Sequence, residues 1–166
     1  MDTQTYELRP AGEADLPAIL DIYNDAILNT TATFDIEPKT LDERRIWFAE
    51  IKHPHCVIVA ESEGEVVGFG ALLTFHTRAA YRFTAQDSVY IHPEWKGQGA
   101  GTVLLAGVIE IAGRNGFHTI MAGISQDNPA SERLHARFGF QFVGTEREVG
   151  YKFERWLDVG WWQLML

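Results

Sequence analysis

The stretch that decides the fold runs from Val89 to Leu105 and reads VYIHPEWKGQGAGTVLL. It passes from an apolar strand through a glycine-rich turn into a helix. Glycines let the backbone turn its N–H groups inward, and the start of a helix supplies unpaired donors and the positive end of the helix dipole. The segment therefore predicts a binding site for a phosphate anion.

The spacing of the glycines excludes two common nucleotide-binding motifs. The dinucleotide fingerprint Gly-x-Gly-x-x-Gly could start at Gly97 or at Gly99, but its third glycine is then replaced by Thr102 or by Leu104. The Lys-Ser/Thr ending of the nucleoside triphosphate loop is also absent. An ordinary strand-to-helix loop remains the alternative to an anion site.

Length and composition limit the class of protein. The 166 residues fit a single domain, 1–166, with one core, and a net charge of −9 argues against nucleic acid as the main partner. Cys56 is the only cysteine, which excludes an internal disulfide and a cysteine metal cluster. Together with the polar start Met1-Asp2-Thr3-Gln4, it favours the cytoplasm. No apolar run approaches the roughly 18 residues that span a bilayer, so no membrane association is expected.

Hydrophobic periodicity predicts the element order β-α-α-β-β-β-α-β-α-β-β. Strands are predicted at 6–9, 57–60, 66–74, 84–92, 119–124, from 140–144 and at 157–166, and helices at 14–28, 40–51, 99–115 and 129–138. Thr40 and Glu43 are expected to cap the second helix, and the segment 30–38 before it is predicted to be a mobile or binding loop. Strands on both sides of crossover helices imply an α/β (α+β) fold, a mixed sheet with helices on both faces.

A second helix start follows the glycine turn, at Asn128-Pro129-Ala130-Ser131, and its helix ends at Gly139. Taken alone, this segment is better explained by Asn128 as an N-cap and Gly139 as a C-cap. The hexapeptide 96–101 resembles the Arg/Gln-x-x-Gly-x-Gly/Ala signature of the GNAT N-acetyltransferase family, with Lys96 at the first position. The segment 128–140 is similar to the family's Asn-x-x-Ala/Ser-x-x-Leu-Tyr-x-x-x-Gly-Phe pattern, with His135 at the tyrosine position. The resemblance implies the GNAT fold, with a mixed, mostly antiparallel sheet of about seven strands.

The resemblance covers nearly the whole chain and narrows to the phosphinothricin and methionine sulfoximine N-acetyltransferase branch. The stretches that carry it include 22–26, 31–35, 87–91 and 150–153. It implies transfer of an acetyl group from acetyl-CoA to the α-amine of a small amino acid or analogue by direct attack, without a metal, in a homodimer. A peptide or protein N-terminus or a polyamine stays an alternative acceptor. A non-catalytic acyl-CoA-binding module is the alternative outside the enzymes.

The resemblance also implies how the cosubstrate is held. The glycine turn would bind the pyrophosphate and Asn128 the pantetheine chain. A backbone N–H on the strand 89–91 is expected to stabilise the oxyanion, since a strand that splays from its neighbour leaves amides unpaired; a continuous ladder is the alternative. The predicted cofactor residues are Val89, Tyr90, Ile91, Lys96, Gly97, Gln98, Gly99, Ala100, Gly101, Thr102, Asn128 and Ser131.

Acyl transfer to an amine also needs a base and a proton for the departing thiolate. His135 is predicted to donate that proton, because its reference pKa of about 6.5 suits neutral pH; a solvated position on its helix is the alternative. The branch commonly has a Glu where this chain has Gln86, whose amide cannot take a proton. Two explanations remain: a water chain that ends on His135 or on a carboxylate removes the proton, or the enzyme acts on a different acceptor. We hypothesise that Gln86 orients a water or the side chain of the substrate while the proton is removed elsewhere. Strand alternation places Gln86, Ser88 and Tyr90 on one face and Asp87 on the other, so Asp87 is not expected to replace the missing base without a bulge.

The acceptor's carboxylate is held in the branch partly by a Phe/Trp-Arg-Pro stretch, which corresponds here to Phe75-His76-Thr77. Because His76 replaces the arginine, Arg78 is predicted to supply the bidentate grip; a solvated surface arginine is the alternative. Phe34 is predicted to form a lid over the acceptor, or else to fill the core. The predicted acceptor residues are Phe34, His76, Thr77, Arg78, Gln86, Asp87 and Ser88, whereas Trp156, Trp161 and Trp162 are expected in the core or a dimer contact.

Overall fold

A computed structural model describes residues 5–166, so the predicted polar start at 1–4 lies outside the described residues. Within the described range the chain forms seven strands and four α-helices in the predicted order, which confirms the α/β class. The strands are β1 (Glu7–Pro10), β2 (Cys56–Ser62), β3 (Glu65–Thr74), β4 (Thr84–Ile91), β5 (Thr119–Ser125), β6 (Gln141–Lys152) and β7 (Arg155–Met165). The helices are α1 (Leu16–Asn29), α2 (Leu41–Glu50), α3 (Ala100–Arg114) and α4 (Pro129–Arg137).

The strands form one sheet in the order β1-β2-β3-β4-β5-β7-β6. Every neighbouring pair is antiparallel except β4 and β5, which are parallel. A parallel pair needs a crossover connection, and α3 supplies it. The sheet is therefore mixed and mostly antiparallel, as predicted.

The parallel pair separates partway along its length. Pairing of β4 with β5 covers three positions and ends where Gln86 faces Met121. Beyond that point β4 stays paired with β3 as far as Ile91, and β5 stays paired with β7 as far as Ser125. The predicted splay is confirmed, and the continuous ladder is wrong.

The helices cover both faces of the sheet. On one face α3 packs Leu104, Leu105 and Val108 against the apolar side chains of the central strands, and α4 adds Leu134. On the other face α1 packs Ile19 and its neighbours against β2 and β3, together with Trp47 and Phe48 of α2. Among the helices of residues 5–166, none combines the length and apolar character of a membrane span.

The start of α2 is fixed by the predicted capping box. The Thr40 side chain accepts a hydrogen bond from the backbone N–H of Glu43 at 3.2 Å, and the Glu43 carboxylate accepts from the backbone N–H of Thr40 at 2.7 Å. This arrangement satisfies two of the donors that a helix start leaves free. The capping box therefore fixes the end of the loop between α1 and α2 at Thr40.

Candidate active site

A cavity of about 860 Å³, here called the cofactor cavity, extends over the glycine turn and the N-terminus of α4. Two of the predicted cofactor residues do not line it. Gln98 instead donates its side-chain amide to the carbonyl of Glu94, and Ala100 is buried at the start of α3. The other ten line the cavity, namely Val89, Tyr90, Ile91, Lys96, Gly97, Gly99, Gly101, Thr102, Asn128 and Ser131.

The glycine turn presents its backbone to this cavity. Gly97 and Gly99 have φ values of +76° and +99°, a region that glycine enters without steric cost. Among the hydrogen bonds of residues 5–166, none uses a backbone N–H from 97 to 101 as donor. These free donors and the dipole of α3 fit a pyrophosphate, so the ordinary-loop alternative does not account for the turn.

The N-terminus of α4 forms the second side of the cofactor cavity. Asn128 Oδ1 accepts from the backbone N–H of Ser131 at 3.3 Å, so Asn128 is an N-cap. Its side-chain nitrogen makes no hydrogen bond with any residue in the described range, which leaves a donor for a ligand. Arg133 and Arg137 also line the cavity; sequence reasoning missed them, although their spacing of four residues on a helix puts them on one face.

A second cavity of about 300 Å³, the gap cavity, occupies the space where β4 and β5 part. It adjoins the cofactor cavity, because Val89 and Tyr90 line both. Its lining includes the predicted residues Phe34, Gln86, Asp87, Ser88 and His135.

Asp87 and His135 form a buried pair in the gap cavity. His135 Nε2 lies 2.8 Å from Asp87 Oδ2, and the two side chains are 6% and 1% exposed. His135 Nδ1 lies 2.8 Å from the carbonyl oxygen of Ser131; a carbonyl only accepts, so Nδ1 carries a hydrogen. Proton exchange at this ring is therefore confined to Nε2. The predicted alternative of a solvated histidine is wrong.

The other carboxylate oxygen of Asp87 is the exceptional atom of the site. Asp87 Oδ1 is buried and has no hydrogen-bond partner within residues 5–166. A buried polar atom without a partner costs about 1–3 kcal/mol, and more when it is charged. The expected alternation along β4 is correct, and β4 has no bulge at Asp87. Asp87 nevertheless borders the gap cavity, because α4 places His135 against the face of the sheet on which Asp87 lies.

The environment of His135 favours its charged form. Burial lowers the pKa of His135, but the hydrogen bond and the charge of Asp87, with the Ser131 carbonyl, raise it further. The net result is a pKa above the ordinary value for histidine. The ring therefore holds a proton to higher pH than a free imidazole.

Backbone donors also face the gap. His92 donates its backbone N–H to the carbonyl of Val67 on β3 at 2.8 Å. Because hydrogen-bonding direction alternates along a strand, Val89 and Ile91 direct their N–H groups away from β3 and into the gap. They are in position to stabilise negative charge that develops on an oxygen there.

The loop between α1 and α2 closes one end of the gap cavity. Lys152 Nζ donates to the carbonyl of Thr33 at 2.8 Å, and the Thr31 hydroxyl donates to Asp127. Burial raises the pKa of Asp127, but hydrogen bonds from Ser125, Thr31 and Arg155 lower it to about 2. Asp127 is therefore ionised at neutral pH and binds the loop through Thr31, and Phe34 of this loop lines the gap cavity.

The predicted carboxylate-binding stretch lies elsewhere. His76, Thr77 and Arg78 are exposed on the connection between β3 and β4, and none of them lines a cavity described here. His76 stacks on Tyr81, with ring centroids 4.8 Å apart. Their role toward an acceptor stays a prediction.

A tryptophan also lies at the gap cavity. Trp161 lines the gap cavity and is paired with Gly123 on β5, where an added Cβ would meet its ring at 3.0 Å. Trp161 therefore borders the gap, and its expected place in the core or a dimer contact stays a prediction. Within the described range no cluster of three or more His, Cys, Asp or Glu side chains is arranged to hold a metal ion.

The site places two helix N-termini that can hold a phosphate group next to a buried carboxylate–imidazole pair that can exchange protons, an arrangement that fits a transferase with a phosphorylated cosubstrate. The model of the acetyltransferase (GNAT) family matches residues 18–140. The chain belongs to this family and is an acyltransferase.

Relatives extend the match over the full length. The chain is 42% identical to an L-methionine sulfoximine/L-methionine sulfone acetyltransferase of Pseudomonas paraeruginosa, covering 96% of this chain and 94% of that one. It is 39% identical to a phosphinothricin N-acetyltransferase of Streptomyces coelicolor, covering 97% and 96%. Among solved structures, it matches a GNAT phosphinothricin acetyltransferase of Sinorhizobium meliloti in complex with acetyl-CoA, with a TM-score of 0.95, 36% identity and coverage of 98% and 89%. The GNAT fold is thereby shown.

Proposed function

We propose that this protein acetylates the α-amine of a small amino acid or analogue, of the phosphinothricin or methionine sulfoximine type, with acetyl-CoA as donor. The names of the relatives support this acceptor class. The observation that carries the proposal is the Asp87–His135 pair, which lines a cavity that adjoins the cofactor cavity and keeps one carboxylate oxygen, Asp87 Oδ1, without a hydrogen-bond partner among residues 5–166. An ammonium group of an acceptor supplies the donor that this oxygen lacks.

The residues of the gap cavity provide each proton step. Asp87 Oδ1 accepts a hydrogen of the ammonium group, and neutral His135 takes the proton at Nε2 through the pair. Acetyl-CoA, when bound, supplies the thioester carbonyl that the free amine attacks. The N–H of Val89 donates to the carbonyl oxygen as it gains charge.

The Asp87–His135 pair accounts for the remaining protons of the reaction. Both ring nitrogens of His135 are held, by Asp87 and by the Ser131 carbonyl, so the protonated pair gives its proton to the departing sulfur through Asp87. The pair then takes the second proton of the amine as the amide forms. That proton is then released to solvent. The predicted role of His135 as donor to the thiolate is kept, and the pair adds the base that Gln86 cannot be. Gln86, on the opposite face of β4, is proposed to orient a water or the acceptor.

The activity should rise with pH through a midpoint above the ordinary pKa of histidine, because only neutral His135 can take the first proton. The raised pKa sets the sign: His135 is charged and inactive as a base below its pKa, and neutral above it. NMR titration of the His135 ring measures this pKa directly, and Asp87→Asn should lower it, since burial then acts without the carboxylate. A His135 midpoint at or below the ordinary value in the wild type would contradict the assignment.

Gly150→Ala should weaken acceptor binding by displacing Phe34. A Cβ at position 150 would lie 2.3 Å from the Phe34 ring, so the ring must move. Forcing a side chain from its rotamer costs about 0.5–1.5 kcal/mol, which predicts an acceptor KM raised about two- to tenfold. Gly144→Ala on the same strand meets no atom within 4 Å and is the matched control. Equal KM values for the two variants would exclude Phe34 as a lid.

A thiol-release assay with acetyl-CoA tests the acceptor class. The panel contains the amino acids, methionine sulfoximine, methionine sulfone, phosphinothricin, polyamines and short peptides. We expect release with small amino acids or their analogues. Release only with polyamines or peptides would favour the alternative acceptors, and binding of acetyl-CoA with no release across the panel would favour a binding module.

A homodimer of single-domain subunits in the cytoplasm completes the proposal. The edge strand β6 exposes Phe142, Val143, Val149 and Tyr151, each more than half exposed. An exposed apolar surface of this kind supports association with a second copy. Light scattering at micromolar concentration distinguishes the dimer from a monomer, which would contradict it. The single cysteine supports a reducing compartment, and cell fractionation tests the location.

A further inference from the structure

We propose that a third cavity, between α2 and the sheet, binds an anionic group of the acceptor, a carboxylate or a phosphinate, on the guanidinium of Arg44. This α2 cavity has a volume of about 330 Å³ and is lined by residues that include Tyr23, Arg44, Trp47, Ser88 and Tyr90. The inference rests on the proposed acceptor class and assigns the acid group of that acceptor.

Arg44 is the one fully buried residue of α2, at 4% exposure. Its guanidinium carbon lies 4.1 Å from the ring centroid of Tyr23 and 4.4 Å from that of Trp47. Aromatic faces attract a guanidinium and hold its plane. The charge is therefore fixed in one orientation in the absence of a ligand.

Within residues 5–166 Arg44 has no ion-pair partner, although Tyr23 and the charge of Asp35 partly favour its charged form. Among residues 5–166 no carboxylate forms an ion pair with Arg44, and its Nε is buried without a hydrogen-bond partner. Burial lowers the pKa of Arg44, yet a guanidinium stays charged in proteins. A buried charge without a partner is costly, and an anion bound in the cavity would offset that cost.

Three carboxylates, those of Asp35, Glu43 and Glu50, line the same cavity, and each is either engaged by another group or exposed to water. Asp35 accepts a hydrogen bond from Tyr23 at 2.8 Å and pairs with Lys39 at 3.4 Å. Glu43 is held by the cap of α2, and Glu50 is exposed. Water screens the charge of exposed carboxylates. An anion in the α2 cavity would therefore interact most strongly with the buried guanidinium of Arg44.

The α2 cavity is placed to share one small molecule with the gap cavity. Ser88 and Tyr90 line both, and alternation along β4 turns them to the face that α2 covers. An amino acid whose amine meets Asp87 through the gap can therefore direct an acid group toward Arg44. This gives Arg44 the role that the sequence assigned to Arg78, which lines neither cavity.

The test compares Arg44→Met and Arg44→Lys with Arg45→Met. Arg45 is the matched control, because it is exposed on the same helix and its one ion pair within residues 5–166 is with Asp42, at 2.9 Å. Each enzyme is assayed with the best amino acid of the panel, with its α-carboxamide, and with an analogue whose side chain is neutral. Thermal unfolding of each variant reports whether the fold is retained.

Arg44→Met should raise the KM for the acidic acceptor about 10- to 100-fold, the loss expected for hydrogen bonds to a charged group, with KM for acetyl-CoA unchanged. Arg44→Lys should recover part of the loss. If Arg44 binds the α-carboxylate, the α-carboxamide should have the same KM with wild type and with Arg44→Met. If Arg44 binds an acidic side chain, the analogue with a neutral side chain should have the same KM with both enzymes. A similar loss for every analogue, or no loss, would overturn the inference while leaving the proposed function intact. A wild type that acetylates no amino acid would overturn both.

Discussion

Asp87→Asn is expected to lower kcat about 10²- to 10⁴-fold, the usual contribution of a positioned acid–base group. The amide has nearly the volume of the carboxylate, so the packing around His135 is kept. It cannot accept the proton of the acceptor, and it no longer stabilises the imidazolium that gives the proton to the departing sulfur. Since acetyl-CoA is proposed to bind at the glycine turn and the start of α4, its KM should stay within about threefold.

The control for this prediction is Asp21→Asn. Asp21 is exposed on α1 and lines none of the three cavities, so Asp21→Asn makes the same chemical change away from the site. Initial rates at saturating concentrations of both substrates measure kcat for each variant. If Asp87→Asn kept kcat within about threefold of the control, the proton would leave the amine by another route.

Gly99→Val should raise KM for acetyl-CoA about tenfold and change kcat little. Gly99 has a φ of +99°, and a β-branched residue is a genuine outlier at positive φ. The left-handed conformation costs an L-residue roughly 1–2 kcal/mol, and each 1.4 kcal/mol corresponds to about a tenfold change in affinity. The turn must relax to remove this strain, which moves the backbone donors from the pyrophosphate.

Gly113→Ala is the matched control on the same helix. An added Cβ there meets no atom within 4 Å, and alanine favours a helix over glycine by about 0.5–1 kcal/mol. Titration calorimetry with CoA measures binding to both variants. Equal affinities for Gly99→Val and Gly113→Ala would exclude the turn as the pyrophosphate site.

Much of the fold follows from local sequence signals. Local signals predict all eleven elements in order, with apolar periodicity marking most of them and the capping box marking α2. The cap at Thr40 and the turn at 97–101 follow from residue types with specific backbone chemistry. The twelve-residue strand β6 is longer than predicted, because its exposed polar residues carry no apolar pattern.

The site was predictable only where its residues are neighbours in sequence. Asp87 and His135 are 48 positions apart, and their contact depends on which helix covers which face of β4. Trp161 enters the gap through its pairing with Gly123, a register that the sequence does not reveal. Arg44 lies in a helix whose other residues are polar or half-buried, and only the packing of α1 on α2 shows that its charge is buried.

Position 86, where a carboxylate is missing, shows how the prediction from sequence and the structure differ. The sequence has Gln86 where the branch commonly has Glu, and strand alternation alone predicts that Asp87 cannot take the role of that Glu. The structure opens the sheet after Gln86, so both faces of β4 border the same gap. A carboxylate one position along the strand can then serve the amine from the other side.

The most direct test of the account is the identity of the product that the wild type forms from acetyl-CoA and the best acceptor of the panel. Mass spectrometry and NMR of that product, with free thiol measured in the same reaction, locate the acetyl group and give the stoichiometry. The account predicts one acetyl group on the α-nitrogen for each thiol released. Thiol released without an acetylated product, or an acetyl group on another atom of the acceptor, would contradict it.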